Sequence, residues 1–411
     1  MKNTQSAHSA HYDLNRLRPG KNRSWRVGSS EYKYLQELLD GGFPEGSAKV
    51  SFVGRLESAF AEKLGAKYAI SFTNGTATLQ AALHAAGVGP GDEVIVPPLT
   101  MASTSLAVFH QGAVPVFADI DAHAFTIDPE STRSRITPRT KAIIPVAIYG
   151  VPPEMDAIME IAAEHGLAVI EDAAQCFLGR YDGKTIGTVG DFGSFSFQAS
   201  KHMTCGEGGM VITDDAEAAT RVARFASLGY GLVGAGPGGS KIDRKQIAHP
   251  TFKRHVSLGY NFRLSELCAA FALAQLERLE EFVAWRLRCA AAFDAVAAGC
   301  EWLSPQRIPE KGESAFWAYT FRLHPELNGV TWDAFFDRFA RFGGEPFYGA
   351  WALTYQEPLF QRMDPERYAG GLCPVAESVQ PNLVQLKTNY ADDTTIARQA
   401  EALERTIVSF D

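Results

Sequence analysis

Along residues 54–214, short apolar runs alternate with stretches in which apolar side chains recur every three or four positions. Such runs are typical of buried strands, and the wider spacing is typical of helices that cover a core with one face. The apolar runs predict strands at 68–72, 93–97, 115–120, 141–148, 168–172, 192–197 and 210–214. The spaced stretches predict helices at 54–66, 76–87, 104–112 and 155–166. Together they predict an α/β fold with a mostly parallel seven-stranded sheet between helices.

A long helical pattern over residues 263–298 ends this alternation and leads the chain out of the sheet. It predicts either one bent helix or two consecutive helices. Beyond it, short strands such as 318–323 mix with amphipathic helices, which indicates a smaller α+β domain. The predicted organisation is a flexible N-terminal arm (1–25), a large α/β domain (26–285) and a small C-terminal α+β domain (286–411).

The composition excludes several classes of protein. Hydrophobic residues make up 46% of the 411-residue chain, which is enough to bury a large core and argues against disorder. The formal net charge of −8 argues against nucleic acid or an anionic membrane as the main partner. No apolar run reaches about 18 residues, so no membrane span is predicted. The six cysteines form no CxxC pair and no zinc-like cluster, which favours free thiols, no bound metal and a cytoplasmic location.

Lys201 is a candidate reactive amine. It follows the strand predicted at 192–197 and is framed by Phe195, Phe197 and Gly206. A lysine in a partly desolvated setting has a depressed pKa and can act as a nucleophile or as a Schiff-base amine. The alternative is an ordinary solvated lysine in a loop.

The segment EDAAQ (171–175) follows the strand predicted at 168–172. A buried carboxylate costs free energy unless a cation pairs with it, and a protonated pyridine nitrogen is such a cation. Asp172 is therefore a candidate partner for a pyridine ring, or else the cap of a helix that starts at the next residue. Glu171 is expected in a salt bridge or at the surface, and Gln175 could donate to a phenolate oxygen.

The turn TNGTAT (73–78), between a predicted strand and a predicted helix, is a candidate anion site. Thr76 and Ala77 open the helix, where free backbone N–H groups bind phosphate readily. Ser196, five residues before Lys201, is well placed to hold a phosphate near the lysine. Taken singly, each feature also fits an ordinary α/β turn or strand that binds nothing.

Together, Lys201, Asp172 and the anion site supply what pyridoxal 5′-phosphate needs, namely an imine-forming amine, a carboxylate for the ring nitrogen and a phosphate cradle. The surrounding sequence resembles the DegT/DnrJ/EryC1/StrS family of sugar aminotransferases. The motifs that carry the resemblance are GDEVIVPPLT (91–100), PVFADID (115–121), TPRTKAIIPVAIYG (137–150), VIEDAAQ (169–175), GDFGSFSFQASKHMTCGEGGMVITDD (190–215) and GYNFRLSELCAAFALAQLERL (259–279). The resemblance implies fold type I of the pyridoxal phosphate enzymes (the aspartate aminotransferase superfamily), as a homodimer with active sites at the subunit interface.

The resemblance also implies roles for individual residues. Lys201 would form the internal aldimine, Asp172 would pair with the pyridine nitrogen, and Gln175 would lie near the ring hydroxyl. Asn261 would reach the phosphate of the neighbouring subunit's cofactor, and Arg263 would face the substrate. The expected catalytic residues are Lys201 and Asp172, and the expected cofactor-binding residues are Thr76, Ala77, Met101, Asp172, Gln175, Ser196, Lys201 and Asn261.

Two positions depart from the family pattern or test its register. Met101 stands where many relatives place an aromatic residue that stacks on the cofactor ring, although a thioether can also pack on a π face. Some relatives have a histidine in place of the lysine and are sugar dehydratases, and His202 adjoins Lys201. Gly206 follows Lys201 by the family's spacing of five residues, which places the lysine at the reactive position.

The function implied by the resemblance is a pyridoxal phosphate-dependent transfer of an amino group from glutamate, or glutamine, to a keto sugar, usually a nucleotide-linked one. Kinetics would be ping-pong, through the Lys201 imine. A keto-cyclitol acceptor, a pyridoxal phosphate-dependent sugar dehydratase and a non-catalytic regulatory homologue remain as alternatives. The Gly-rich basic segment 228–258 would either meet a diphosphate at the mouth of the site or form a solvated surface loop.

Overall fold

The computed structural model describes residues 26–43, 51–234 and 244–410. The helices within these ranges are α1 (Ser29–Gly41), α2 (Phe52–Leu64), α3 (Gly75–Ala85), α4 (Ser103–His110), α5 (Pro129–Ser134), α6 (Met155–His165), α7 (Ala216–Ala226), α8 (Arg244–Ala248), α9 (Glu266–Glu277), α10 (Leu279–Ala297), α11 (Pro325–Asn328), α12 (Trp332–Arg341), α13 (Pro358–Met363), α14 (Pro374–Val379) and α15 (Asp393–Val408). The strands are β1 (Tyr68–Phe72), β2 (Glu93–Val96), β3 (Val114–Phe117), β4 (Thr140–Ile143), β5 (Ala168–Asp172), β6 (Arg180–Tyr181), β7 (Lys184–Thr185), β8 (Phe192–Ser196), β9 (Gly209–Thr213), β10 (Leu303–Pro305), β11 (Gly312–Glu313), β12 (Ala318–Leu323), β13 (Tyr348–Gly349) and β14 (Leu383–Lys387). Short 3-10 turns lie at Ile148–Gly150, Thr354–Gln356 and Gln380–Asn382. The predicted arm at 1–25 lies outside the described residues, as do positions 235–243 of the segment 228–258.

The main sheet has seven strands in the order β1-β9-β8-β5-β4-β2-β3, which confirms the prediction of a mostly parallel seven-stranded sheet. Strand β9 runs antiparallel to both of its neighbours, β1 and β8, whereas the pairs from β8 to β3 are parallel. The chain passes from β8 to β9 through the loop 197–208, which contains no helix to cross a face of the sheet, and the two strands pair antiparallel. That loop contains Lys201.

Helices cover both faces of this sheet. Alternation along β5 shows how the two cores form, because Val169 packs in one and its neighbour Ile170 in the other. Helices α3, α4 and α7 supply apolar side chains to the core that contains Ile170, and helices α2, α6 and α9 supply those around Val169. The predicted face of α2 is correct, since Leu56, Phe60 and Leu64 are buried.

Strand β4 ends earlier than the apolar run 141–148 predicts. Pro145 follows it and has no N–H group to donate to a neighbouring strand. Its carbonyl nevertheless accepts the N–H of Asp172 at 2.9 Å. The chain then turns at Tyr149, whose φ of 60° lies in the left-handed region that is rare for a large side chain. The residues after β4 therefore form a corner at the carboxyl edge of the sheet.

The long helical pattern is two helices, because α9 and α10 are separated by Arg278. Beyond them a second sheet, β10-β12-β14-β13, packs with α10, α12 and α15 around a separate core. Strand β12 coincides with the predicted strand 318–323. The proposed domain boundary after residue 285 lies inside α10 and stays a prediction. Within the C-terminal part, side chains between Leu353 and Leu383 pack on the core of the main sheet.

Candidate active site

Asp172 is the last residue of β5 and is buried at the carboxyl edge of the main sheet. The Oγ1 hydroxyl of Thr104, in the first turn of α4, donates to Asp172 Oδ2 at 2.9 Å, and the N–H of Ala174 donates to Oδ1 at 3.2 Å. Burial raises the pKa of Asp172, while the Thr104 bond, the charge of Lys201 and the Ala174 bond act in the opposite direction. No helix begins at Ala173 in the described chain, so the capping alternative is wrong.

Glu171, the preceding residue, is also buried and has a different set of partners. Its Oε1 accepts the N–H groups of Val189 and Gly190, both at 2.7 Å, and its Oε2 accepts that of Gly187 at 2.8 Å. Burial raises the pKa of Glu171 to about 7, although the three N–H bonds lower it. The expectation of a salt bridge or a surface position is wrong, because strand alternation turns this side chain to the opposite face from Asp172.

Lys201 lies in the loop between β8 and β9, with its N–H donating to the carbonyl of Gln198 at 2.9 Å. Its side chain is half-buried, and Nζ lies 5.1 Å from the centre of the Trp317 ring. Burial lowers the pKa of Lys201 to about 8, and the positive charge of Arg286 acts in the same direction. The negative charge of Asp172 opposes this shift. Lys201 is therefore closer to its neutral, nucleophilic form at neutral pH than an exposed lysine is.

Two arginines hold the backbone of the Lys201 loop. Arg286, buried in α10, donates to the carbonyls of Ser200 at 3.3 Å and Lys201 at 3.5 Å. Arg26 donates to the Lys201 carbonyl and to that of His202, the latter at 3.1 Å. Burial lowers the pKa of Arg286 to about 9. Because both guanidinium groups bind backbone carbonyls, they fix the loop without neutralising Asp172.

His202 is buried and directed away from this cluster. Its Nε2 lies 2.9 Å from the carbonyl of Ala315, so Nε2 carries the proton, and its ring packs against Phe177 with 5.5 Å between ring centres. Burial holds the pKa of His202 well below its usual value, so the ring is neutral. Of these two neighbours in the sequence, Lys201 is the one whose charge acts on Asp172.

The N-terminus of α3 lies against the end of β8. Asn74 caps the helix by accepting the N–H of Ala77 at 2.9 Å, and the N–H groups of Gly75 and Thr76 lie at the tip of the helix. A Cβ atom on Gly75 would lie 2.7 Å from the Cβ and 3.1 Å from the Oγ of Ser196, so only glycine allows this approach. The Ser196 hydroxyl and the helix tip thus lie side by side, where both can donate to one anion.

Gln175 lies in the turn after β5 and is buried. Its Oε1 accepts the N–H of Tyr149 at 2.7 Å, which fixes the orientation of the amide. The Nε2 end is consequently the end that remains to donate to a ligand.

The remaining predicted residues are exposed in the single chain. Met101 is 51% exposed and lies two residues before α4, whose residue Thr104 binds Asp172. Asn261 and Arg263 are exposed, and the backbone of Asn261 pairs with Ser227 rather than with the Lys201 loop. Within one chain, then, Met101 adjoins the site, and Asn261 and Arg263 are presented outward.

These residues fit pyridoxal 5′-phosphate. The tip of α3 with Ser196 offers N–H and hydroxyl donors for a phosphate, Asp172 offers a buried carboxylate, and Lys201 offers an amine of lowered pKa. Gly209 closes the cradle, because a Cβ there would lie 2.9 Å from the carbonyl oxygen of Asn74. No group of three or more histidine, cysteine or acidic side chains in the described ranges could hold a metal ion. The described helices include none that is both long and apolar enough to cross a membrane.

Several supporting residues were missed from the sequence. Thr104, Arg26 and Arg286 act through contacts with residues far away in the chain, and no local motif marks them. The signal for Thr104 was its position at the start of a predicted helix, four residues after PPLT (97–100) at a strand end. Arg286 gave no signal, because an arginine in an amphipathic helix is ordinarily solvated.

Comparison with known proteins gives consistent matches over most of the chain. The sequence model of the DegT/DnrJ/EryC1/StrS aminotransferase family matches residues 27–398. GDP-perosamine synthase of Caulobacter vibrioides is 38% identical over 309 residues, which is 74% of this chain and 77% of that protein. A putative L-glutamine:3-amino-2,3-dideoxy-scyllo-inosose aminotransferase of Streptoalloteichus tenebrarius is 37% identical over 64% of this chain and 59% of that protein. The crystal structure of an aminotransferase from Psychrobacter cryohalolentis superimposes with a TM-score of 0.83 at 28% identity, covering 93% of this chain and 98% of that one.

Proposed function

The chain belongs to the DegT/DnrJ/EryC1/StrS aminotransferase family, and on this premise we propose that it transfers an amino group from glutamate or glutamine to a nucleotide-linked keto sugar. It is a pyridoxal phosphate-dependent aminotransferase of fold type I. The observation that carries the proposal is the juxtaposition of Lys201, of lowered pKa, with the buried carboxylate of Asp172. The donor, the acceptor and the residue roles below are our proposals.

Lys201 is the proposed covalent anchor and proton carrier. When bound, pyridoxal phosphate supplies an electron sink for the carbon atom that loses a proton. Lys201 Nζ then takes the proton from that carbon and returns it elsewhere, which a group titrating at about 8 can do in both directions. The loop contacts of Arg26 and Arg286 limit the positions that Nζ can reach.

Asp172 is the proposed partner of the ring nitrogen. Burial makes its ionised form unstable unless a positive charge lies opposite, and a protonated ring nitrogen supplies that charge. The Thr104 and Ala174 bonds hold its two oxygens in fixed directions. Asp172 thereby keeps a proton on the ring nitrogen, which is the state that accepts electrons.

The remaining proposed contacts orient the cofactor. Thr76, Ala77 and Ser196 bind its phosphate, with the α3 N-terminus adding a favourable dipole. The backbone N–H of Ala77 already donates to Asn74, so a direct contact there would have to share this bond. Gln175 donates from Nε2 to the ring oxygen, and Met101 packs on the ring face.

We also propose a homodimer in which Asn261 of one subunit reaches the phosphate site of the other. Its outward position and its exposure in the single chain support this arrangement. Arg263, two residues further along, would face the substrate from the same segment. Sedimentation of the wild type and of Asn261→Ala, with cofactor affinity measured on both, tests this, since only the affinity should fall.

A keto sugar is the favoured acceptor because GDP-perosamine synthase is among the relatives, with amino-sugar biosynthesis as the setting. A keto-cyclitol is the second candidate, favoured by the scyllo-inosose aminotransferase relative. Lys201 at the site, with His202 buried elsewhere, supports amino transfer over dehydration. The basic segment 228–258 remains a candidate for contact with a diphosphate.

One experiment tests the proposed reaction. The pyridoxamine-loaded enzyme is incubated with a panel of nucleotide keto sugars and keto-cyclitols, and products are read by mass spectrometry. We expect an aminated nucleotide sugar and, when the donor is then added to the resulting pyridoxal form, release of 2-oxoglutarate from glutamate or of its amide from glutamine. Initial rates with both substrates varied should give the parallel double-reciprocal lines of ping-pong kinetics. Amination of cyclitols alone would reject the sugar acceptor, and sugar deoxygenation without amino transfer would reject the reaction.

A further inference from the structure

We propose that Trp317 is a positioning residue whose indole face holds the Lys201 side chain as an ammonium ion whenever that amine is not covalently attached to the cofactor. The inference rests on the proposed function only in taking Lys201 as the reacting amine. Lys201 Nζ lies 5.1 Å from the centre of the Trp317 ring. A cation within about 6 Å of an aromatic face is attracted by its quadrupole, and tryptophan attracts it most strongly.

The Trp317 ring is held in place from several sides. Its Nε1–H donates to the carbonyl of Ser200 at 2.9 Å, so the indole is bonded to the loop that carries Lys201. The Trp317 carbonyl accepts from Arg286 Nη1 at 2.7 Å and from Thr388 Oγ1 at 3.0 Å. Because both its side chain and its backbone are bonded, the ring is a fixed surface against which the flexible lysine rests.

The corner after β4 supports Trp317 from the main sheet. A Cβ atom on Gly150 would lie 2.7 Å from the Trp317 nitrogen and 2.6 Å from that of Phe316, so the two segments are in direct backbone contact. The Gly150 carbonyl accepts the N–H of Ala315 at 2.9 Å. Gly150 itself has a φ of 101°, which a side chain would disfavour. The position of Trp317 is thereby tied to the sheet edge that carries Asp172.

An aromatic stack extends this surface away from Lys201. Trp351 packs on Trp317 with ring centres 6.1 Å apart and 25° between planes, and Tyr149 packs on Trp351 at 6.4 Å and 19°. The lysine therefore contacts the first ring of a row of three. Trp351 is a matched control, because it has the same side chain and belongs to the same stack without a described contact to Lys201.

The charged groups around Lys201 act on its ammonium form in opposite directions, so an uncharged partner can still stabilise that form. Asp172 attracts the ammonium and Arg286 repels it, while Arg26 binds the loop backbone and His202 is neutral. In the proposed reaction Asp172 faces the cofactor ring, so a second carboxylate beside Lys201 would compete for that positive charge. The indole attracts the ammonium without a formal charge, and it keeps the amine near the reacting carbon.

Two possible roles for Trp317 predict opposite shifts in the pKa of Lys201 when the indole is removed. If the indole stabilises the ammonium, Trp317→Leu lowers the pKa of Lys201 by about half to one unit, since the apolar surroundings remain and the ring is lost. If the indole only excludes water, the same change admits water and raises that pKa towards its ordinary value. Trp317→Phe keeps an aromatic face and should therefore fall between wild type and Trp317→Leu.

The test measures the titration of Lys201 directly on the full-length chain freed of cofactor. Its rate of acetylation by acetic anhydride is followed against pH by peptide mass spectrometry, relative to the exposed Lys141 in the same sample. Circular dichroism of every variant establishes that the chain is folded. The four proteins are wild type, Trp317→Leu, Trp317→Phe and Trp351→Leu.

A lower midpoint in Trp317→Leu, partly restored in Trp317→Phe and not reproduced by Trp351→Leu, supports the proposal. An unchanged or higher midpoint in Trp317→Leu overturns it, and so does an equal fall in Trp351→Leu. Capture of pyridoxal phosphate by the wild type, followed by visible absorbance and borohydride trapping, is measured separately. Failure of that capture would reject the role of Lys201 as anchor, whereas the labelling data would still decide whether the indole holds the ammonium.

Discussion

The two buried carboxylates at the end of β5, which lie on opposite faces of the strand, have different hydrogen-bond partners. On one face the protein completes the environment of Glu171 with three backbone N–H donors from the turn at 187–190. On the other face, Asp172 has one hydroxyl and one backbone N–H as hydrogen-bond partners. Both side chains are buried, and burial raises the pKa of each. The difference supports our proposal that Glu171 belongs to the fold and that Asp172 binds a ligand.

This difference separates two kinds of mutational effect. A carboxylate that closes a turn should be detected through the free energy of unfolding. A carboxylate that awaits the positive charge of a ligand should be detected through cofactor binding and turnover. Substitutions on the Asp172 face should therefore change chemistry, and those on the Glu171 face should change stability.

The largest effect on the Asp172 face should come from Lys201→Ala. Loss of the proposed anchor and proton carrier should reduce turnover by at least about 10²- to 10⁴-fold, with no fall in melting temperature. Visible absorbance and borohydride trapping report the loss of covalent attachment. Lys141→Ala, at an exposed lysine on β4, is the control and should behave as wild type. Robust transamination by Lys201→Ala would refute the role.

Asp172→Asn should have the second-largest effect, with turnover lower by about 10²- to 10³-fold. The amide keeps the size of the side chain but removes the negative charge that would hold a proton on the ring nitrogen. The melting temperature should stay the same or rise, because a buried charge has been removed. Steady-state kinetics and thermal melts of the same preparation check both statements, and an unchanged rate would reject the pairing.

Glu171→Gln should show the reverse pattern, with a loss of stability and no loss of turnover. One acceptor oxygen is lost, so at least one backbone N–H of the turn becomes unpaired, at a cost of about 1–3 kcal/mol in the free energy of unfolding. Turnover per folded molecule should remain that of wild type. Urea unfolding gives the first quantity, and active-site-normalised kinetics give the second. A loss of turnover without a loss of stability would contradict the assignment of Glu171 to the fold rather than to the chemistry.

The stability difference between wild type and Glu171→Gln should also depend on pH. The folded-state pKa of Glu171 is raised from 4.5 to about 7, so the folded chain holds this proton more tightly than the unfolded chain. The resulting stabilisation is full below the unfolded pKa and is lost as pH rises through about 7. Glutamine does not titrate, so the advantage of wild type should shrink between about pH 5 and pH 8, as read by urea unfolding at several pH values.

Thr104→Val should give the smallest effect. It removes one hydrogen bond from the Asp172 carboxylate, which should lower turnover by about 10- to 10²-fold because such bonds contribute about 1.5–3 kcal/mol. Since the Thr104 bond lowers the pKa of Asp172, its removal raises that pKa, and the loss should be larger at acidic pH. Thr132→Val, at a buried threonine of α5 that donates to the carbonyl of Asp128, controls for the substitution itself. Equal losses in both variants would contradict a role through Asp172.

The sequence was informative where a contact is local. Periodicity located β1, β5 and β12, because their apolar runs are short and bounded by turns. The proposed reactive amine was also marked locally, since aromatic and glycine residues frame Lys201. The reversed direction of β9 was not predicted, because direction depends on how a loop returns to the sheet rather than on which side chains are apolar.

Other errors came from contacts between distant residues. Glu171 was expected at a salt bridge or at the surface. The expectation was wrong because its partners are backbone N–H groups, which the sequence of side chains does not reveal. Arg286 looks like a solvated helix residue, yet it binds a loop 85 positions away. The early end of β4 was readable from Pro145, but the apolar residues around it outweighed that signal.

The two arginines that bind the Lys201 loop affect the stage of folding at which this loop reaches its final position. Arg26 precedes the carbonyl it binds by 175 residues, and Arg286 follows the same carbonyl by 85. Contacts that span such separations form late, since long stretches of chain must first be arranged. A chain that has not yet reached residue 286 therefore lacks one of the two contacts that hold the Lys201 loop. If Lys201 is the anchor that we propose, its amine reaches its final position only after the chain on both sides of the loop has folded.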